Sequence, residues 1–286
     1  MFSRSDFTPQ VSIVTGGGSG IGLAIAAELV ARGSSVVVAD IDPAKAQAAA
    51  TRLGPAATPA TLDVADADAV RALVDRVVAE RGRLDVMVNN AGVAIGGLLE
   101  ELDERHWAKA LDVNLRGVIH GVTAAYPHLR RQGHGSILNT ASLAGLIPAP
   151  AMLPYTTTKH AVVGLSTALR AEAASQGVRV SVLCPGFVDT PLLDEVYAAP
   201  PSFGGDSVRA RVRLMQPSFL TPEVVARRAV DGLAANKAVI PVGFLAHLTW
   251  RTLRYLPPVA RGLIQVQATG HRRLNERAAR RAAASA

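Results

Sequence analysis

The sequence predicts an α/β fold: a doubly wound parallel sheet of about seven strands with helices on both faces. Three observations carry this. Short apolar, β-branched runs alternate with stretches of helical periodicity along the 286 residues. The runs are continuously apolar, as strands buried on both faces of a parallel sheet must be. The first run also leads through a glycine-rich turn straight into the first helical stretch.

The elements follow in order. A strand at 11–14 precedes the turn Thr15-Gly16-Gly17-Gly18-Ser19-Gly20-Ile21-Gly22 and a helix from 23 to 30. A second strand at 34–39 ends at Asp40, and an alanine-rich helix spans 42–53. A weaker strand at 57–62 ends at Asp63-Val64, and a helix at 66–81 turns Val70, Leu73, Val74 and Val77 to one face. The strand at 84–88 closes at Asn89-Asn90-Ala91-Gly92. A long helical region covers 104–131, with a kink expected near Pro127. A strand at 135–140, a helix at 155–175 and a strand at 178–183 come next. A helix at 221–235, with Thr221 as cap and Pro222 in its first position, leads to a last strand at 238–241. The segment 191–220 breaks the alternation and reads as an insertion over the ligand-binding end. The expected organisation is one nucleotide-binding domain over 1–243, with a lid over about 187–220, and a basic extension over 244–286.

Charge is unevenly placed. The net charge is +7, and the stretch 245–286 holds eight arginines, no lysine and one acid, Glu276. The rest has 22 basic and 22 acidic residues. A neutral body argues against a nucleic-acid-binding surface. The single cysteine, Cys184, rules out an internal disulfide and reads as a small buried apolar side chain. The first ten residues lack an apolar signal core, and no run approaches the roughly 18 apolar residues of a membrane span, so a cytoplasmic location is expected.

Chemistry concentrates at the carboxyl ends of the strands, where open α/β sheets bind ligands. Glycines in the first turn let backbone N–H groups approach a phosphate, and the helix N-terminus adds positive charge. Asp40, 18 residues after Gly22, suits an adenosine ribose diol and repels a 2′-phosphate. Ser19 precedes Gly20 and Ile41 follows Asp40, so the local sequence offers no cation for that phosphate. Tyr155 and Lys159, four residues apart on a helix, share a face, where an ammonium is expected to lower the phenol's pKa from about 10. Ser142 ends a strand 13 residues earlier and can donate to a substrate oxygen. Asn114 sits mid-helix, where asparagine is unfavourable, and its side chain or a loosened turn could hold water near Lys159.

Together these residues resemble the short-chain dehydrogenase/reductase family, whose Rossmann-like fold would cover about 9–243. The matches are Thr15-Gly16-x3-Gly20-Ile21-Gly22, Asp63, Asn89-Asn90-Ala91-Gly92, Asn114, Ser142, Tyr155-x3-Lys159 and Pro185-Gly186-x3-Thr190. The resemblance implies that Tyr155 is the general acid/base. Lys159 would lower its pKa and bond the nicotinamide ribose, Ser142 would polarise the substrate oxygen, and Asn114 would anchor a relay water. Gly16, Gly18, Ser19, Gly20, Ile21 and Gly22 would receive the pyrophosphate, and Asp40 and Ile41 the adenosine ribose. Asp63 and Val64 would meet the adenine. Asn90, Ala91, Gly92, Pro185, Gly186, Val188 and Thr190 would border the nicotinamide half. The implied cofactor is NAD, with NADP less favoured, and the implied assembly a homodimer or homotetramer. No metal is expected, because the seven histidines are scattered without a ligand spacing.

Leu143, Leu146, Ile147, Met152 and Leu153 after Ser142, with Phe187, Leu192, Leu193, Val196, Tyr197, Phe203, Met215 and Phe219 of the insertion, fall in regions that line the family's substrate pocket. An apolar lining suggests a lipophilic alcohol or ketone. The tail mixes Leu245, Leu248, Trp250, Leu253, Tyr255 and Leu256 with Arg251 and Arg254 before Pro257-Pro258. It suits either packing on the domain or a sister subunit, the favoured expectation, or an amphipathic element on an anionic membrane. The competing function is a cofactor-binding regulator or membrane-associated interaction protein without turnover.

Overall fold

The computed structural model describes residues 7–195, 197, 218–259, 261–262, 264–266 and 268–270. Seven strands form one sheet: β1 Val11–Thr15, β2 Ser35–Asp40, β3 Ala57–Thr61, β4 Val86–Asn89, β5 Gly135–Thr140, β6 Val178–Pro185 and β7 Val239–Val242. Their order is β3-β2-β1-β4-β5-β6-β7 and every neighbouring pair is parallel. The order reverses between β1 and β4, which opens a crevice at their carboxyl ends.

The helices are α1 Gly20–Ala31, α2 Pro43–Leu53, α3 Ala67–Arg81, α4 Glu104–Ala110, α5 Gly117–Gln132, α6 Leu153–Ala173, α7 Pro222–Ala234 and α8 Phe244–Tyr255. Local chemistry fixes several starts. Asp42, Asp66 and Thr221 each accept hydrogen bonds from first-turn N–H groups of α2, α3 and α7. Each such cap contributes about 1 kcal/mol. Gly82, Gly133 and Gly177 end helices in the left-handed conformation.

Alternate residues of each strand feed two apolar layers. Ile13, Met87, Ile137, Val180 and Val182 share a core with Leu73, Val74, Leu129 and Val162 of α3, α5 and α6. Val14, Val36, Val38, Val88, Leu138 and Leu183 share the other with Ile25, Leu29, Val225 and Leu233 of α1 and α7. Fully burying each of these side chains contributes about 1.5–3 kcal/mol.

One difference from the sequence expectation has a physical cause. The expected long helical region 104–131 is a continuous run from Glu104 to Gln132, with Pro127 inside α5. The departure from regular hydrogen bonding is a π-type turn over Leu111–Arg116, between α4 and α5. It carries Asn114, whose amide bonds both backbone groups of Val93, and it is followed by Gly117, where a Cβ would lie 2.7 Å from Val64 Cγ2. The insertion opens with the 3-10 turn Pro191–Leu193, and Leu220 returns to bridge Val188. Val196, Phe203 and Met215 lie outside the described residues.

Candidate active site

Ser142, Tyr155 and Lys159 meet at the carboxyl end of β5. Ser142 follows this strand and starts a 3-10 turn over Leu143–Gly145, its Oγ accepting from the Ala144 N–H at 3.2 Å. That turn lies hard against α6: a Cβ on Gly145 would sit 2.5 Å from the Lys159 carbonyl oxygen. The absent side chain lets the loop close down, and the Ser142 hydroxyl stands beside the Tyr155 phenol, where it favours the phenolate. Lys159 is buried, with Nζ 5.6 Å from the centre of the Tyr155 ring and donating to the Thr140 carbonyl at 2.9 Å.

The electrostatics correct one expectation. The phenol of Tyr155 is held above its ordinary value by burial, with the Ser142 hydroxyl opposing. It is not lowered by Lys159. Burial acts on the ammonium too, pulling Lys159 down to about 8, and the ammonium is anchored on the Thr140 carbonyl. Cys184 is fully buried beside them, its thiol pushed up to about 12 by burial despite the Lys159 charge. This fits the small apolar role expected of it.

Asn114 is fully buried rather than displayed on the helix surface. Its Oδ1 accepts from the Val93 N–H at 2.8 Å and its Nδ2 donates to the Val93 carbonyl at 3.0 Å. A Cβ on Gly92 would come within 3.0 Å of Asn114 Oδ1 and 3.5 Å of Lys159 Nζ, so Gly92, Asn114 and Lys159 border one space.

The glycine turn has the shape of a dinucleotide cradle. Gly16 and Gly20 have φ of +60° and +51°, which favours glycine. A Cβ on Gly22 would lie 2.0 Å from the Gly16 carbonyl oxygen. Ser19 makes no side-chain cap and the first turn of α1 bears no acid, so the positive end of the helix, from Gly20 through Ile21 to Gly22, stays open to an anion. The Thr15 hydroxyl accepts from the N–H groups of Asn90 and Ala91, and Asn90 Nδ2 donates to the carbonyls of Thr15 and Gly16, locking the turn to the end of β4. These groups fit a dinucleotide.

At the adenosine end, Asp40 Oδ2 accepts from the Gly18 N–H at 2.9 Å and Oδ1 from the Asp42 N–H at 3.1 Å. Asp42, not Asp40, caps α2. Ile41 is exposed. The stem of Lys45 lies beside this turn, 2.7 Å from where a Gly18 Cβ would be, and its ammonium faces Glu195 at 3.8 Å. The local sequence gave no hint of this cation, because it arrives from the first turn of α2. Asp63 Oδ1 accepts from the Ala65 N–H, and the Val64 carbonyl faces His120 Nδ1 at 2.9 Å. At the other end, Pro185 ends β6, the Gly186 N–H bonds the Val242 carbonyl, Val188 is buried, and the Thr190 methyl would touch a Cβ on Gly20 at 3.2 Å.

Two further features were hidden from the sequence. The Thr140 carbonyl holds Lys159, a backbone contact that no side-chain pattern signals. Tyr197 of the insertion bonds the Ala94 carbonyl through its N–H at 3.0 Å and meets the His106 ring edge-on at 6.2 Å, so the insertion crosses to the β4–α4 loop. Of the apolar residues expected to line the pocket, Leu146 is buried in the core and the partly buried Ile147 packs against it. Among the described residues, no three His, Cys, Asp or Glu side chains converge on a metal position.

The fold, the open glycine turn and a Ser-Tyr-Lys cluster at its mouth define a dinucleotide-linked oxidoreductase architecture. The family model for short chain dehydrogenase matches residues 10–200, and the chain belongs to that family. It is 37% identical over 242 residues to the cis-4-hydroxycyclohexanecarboxylate dehydrogenase of Sinomonas cyclohexanicum, covering 83% of this chain and 94% of that protein. It is 32% identical over 272 residues to the probable oxidoreductase EphD of Mycobacterium tuberculosis. That match spans 92% of this chain but 46% of EphD, so the chain corresponds to about half of that relative. A solved short-chain dehydrogenase/reductase from Burkholderia phymatum, in complex with NAD, superposes with a TM-score of 0.78 at 32% identity, covering 89% of this chain and 95% of that one.

Proposed function

We propose that the protein moves a hydride between NAD(H) and a lipophilic secondary alcohol or ketone. The observation that carries this is the cluster of Ser142, Tyr155 and Lys159 at the mouth of the glycine cradle, with the buried Lys159 ammonium 5.6 Å from the centre of the phenol ring.

The nicotinamide supplies or accepts the hydride when bound; the protein positions the substrate and handles the proton. Tyr155 gives its phenolic proton to a carbonyl oxygen in reduction, or takes one from an alcohol in oxidation. A phenol kept protonated by burial is suited to the acid role. Ser142, beside that phenol, polarises the same oxygen. Lys159, at about 8, gives and receives a proton near neutrality more readily than an exposed lysine. Asn114 fixes the Val93 backbone beside it and forms the wall where relay water would stand.

Asp40 supports NAD over NADP, since a 2′-phosphate would meet a carboxylate held by two backbone N–H groups. Lipophilic substrates are supported by apolar residues at the insertion's ends, Leu192, Leu193 and Tyr197, and by the cyclic alcohol named for the Sinomonas relative. By likeness to the family, the working assembly is a homodimer or homotetramer. A screen of NADH and NADPH against cyclic ketones, long-chain ketones and sugar-derived ketones tests the proposal. Cyclic or long-chain ketones with NADH should give the highest kcat/KM; preference for the sugar-derived set would remove the lipophilic assignment.

A further inference from the structure

We infer that the outward face of α8 and the helical segment after it seats the protein on an anionic lipid bilayer. Gly243, with φ of +100°, turns the chain out of β7 and into α8 at the same end of the sheet as the active site. One side of α8 is used up by the domain: Ala246 is fully buried and Trp250 packs against the core. The opposite side is not. Phe244, Leu248 and Tyr255 are 82%, 49% and 73% exposed, and their spacing of four and seven residues puts them along one stripe. A shallow groove between Phe244, His247, Leu248 and Arg251 runs along this stripe. Leu256, Val259 and Val266 continue the exposed apolar series.

Large apolar side chains in such a series mark an interaction surface rather than ordinary surface scatter. The charges around them select the partner. Arg251, Arg254 and Arg261 are exposed among these residues, and no acid occurs from residue 245 until Glu276. A second copy would bring the same unbalanced arginines against them, and the electrically neutral body offers no compensating excess of acids. A bilayer of anionic headgroups supplies both a partner for the guanidiniums and an interior for Phe244, Leu248 and Tyr255. Among the described residues no helix is long and apolar enough to cross a membrane, so the attachment lies along the surface. Because Phe244 stands at the site end of the sheet, docking there brings the bilayer beside the end where substrate enters.

Flotation of the full chain with phosphatidylcholine vesicles, and with vesicles mixing phosphatidylglycerol into them, tests this without turnover, so it stands apart from the proposed reaction. Binding to the mixed vesicles, weakened by salt, and at least about tenfold weaker binding to the neutral ones is expected. Phe244→Glu/Leu248→Glu and Arg251→Glu/Arg254→Glu should each lose the anionic binding while keeping the wild-type thermal midpoint. If either pair unfolds, Tyr255→Ser alone should still weaken flotation. Absence of flotation with both vesicle types, equal binding to both, or a wild-type oligomer that the first pair converts to monomer without vesicle binding would each overturn the inference.

Discussion

The Lys159 ammonium donates to the Thr140 carbonyl at 2.9 Å and stands 5.6 Å from the centre of the Tyr155 ring. The amine is thus tethered to the end of β5 beside the phenol, and burial sets the protonation of both groups. This has a measurable consequence for stability. The folded-state pKa of Lys159 is depressed from 10.5 to about 8. Below pH 8 both folded and unfolded chains hold the proton, and the buried charge destabilises the fold. Between about 8 and 10.5 the unfolded chain keeps a proton that the folded chain has released, so stability rises with pH. Urea unfolding of wild type and Lys159→Met across this window should show wild type gaining roughly 2–3 kcal/mol relative to the variant. A pH-independent difference would mean that the ammonium is not buried as described.

Under the proposed preference for NAD, Asp40 and Lys45 would act in opposite directions on a 2′-phosphate. The carboxylate faces the Gly18 N–H, whereas the Lys45 ammonium is drawn toward Glu195. Asp40→Ala removes the repulsion of a 2′-phosphate and should reduce the NADH-over-NADPH ratio of kcat/KM by about tenfold or more. Adding Glu195→Gln, which frees Lys45, should lower it further. An unchanged ratio in both variants would show that selectivity is set elsewhere.

Two glycine-to-alanine changes should act in opposite directions. At Gly22 the new Cβ would meet the Gly16 carbonyl oxygen at 2.0 Å, so the turn must open. A cost of about 1–3 kcal/mol is expected, together with weakened cofactor affinity. Gly164, exposed within α6, has nothing within 4 Å of the corresponding position. Alanine there should stabilise by about 0.5–1 kcal/mol. Thermal denaturation of the two variants checks the contrast, which fails if Gly22→Ala melts as high as Gly164→Ala.

Much of this architecture could be read from residue order because its causes are local. Continuous β-branched runs, Asp42, Asp66 and Thr221 as caps, and the glycines after β1 specify elements through contacts a few residues long. What escaped reading depends on contacts between distant segments. The π-type turn at Leu111–Arg116 answers to Val93 and Val64, which no periodicity around Asn114 shows. Lys45 reaches the adenosine end only because α2 folds back beside the glycine turn. The raised pKa of Tyr155 depends on how deeply α6 sits; a four-residue spacing to Lys159 says only that the two share a face. The packing of Leu146 and Ile147 on the core follows from the close approach of Gly145 to α6, which their positions after Ser142 do not show.

The proposed proton-transfer role of Tyr155 is tested most directly by replacing it with phenylalanine, which removes one oxygen. The measurement is kcat/KM for ketone reduction, taken with the affinity for NADH by fluorescence titration. Turnover should fall by at least about a thousandfold, while the dissociation constant stays within about threefold, because the glycine cradle is untouched. Turnover within tenfold of wild type would contradict the assignment of Tyr155 as the acid and base.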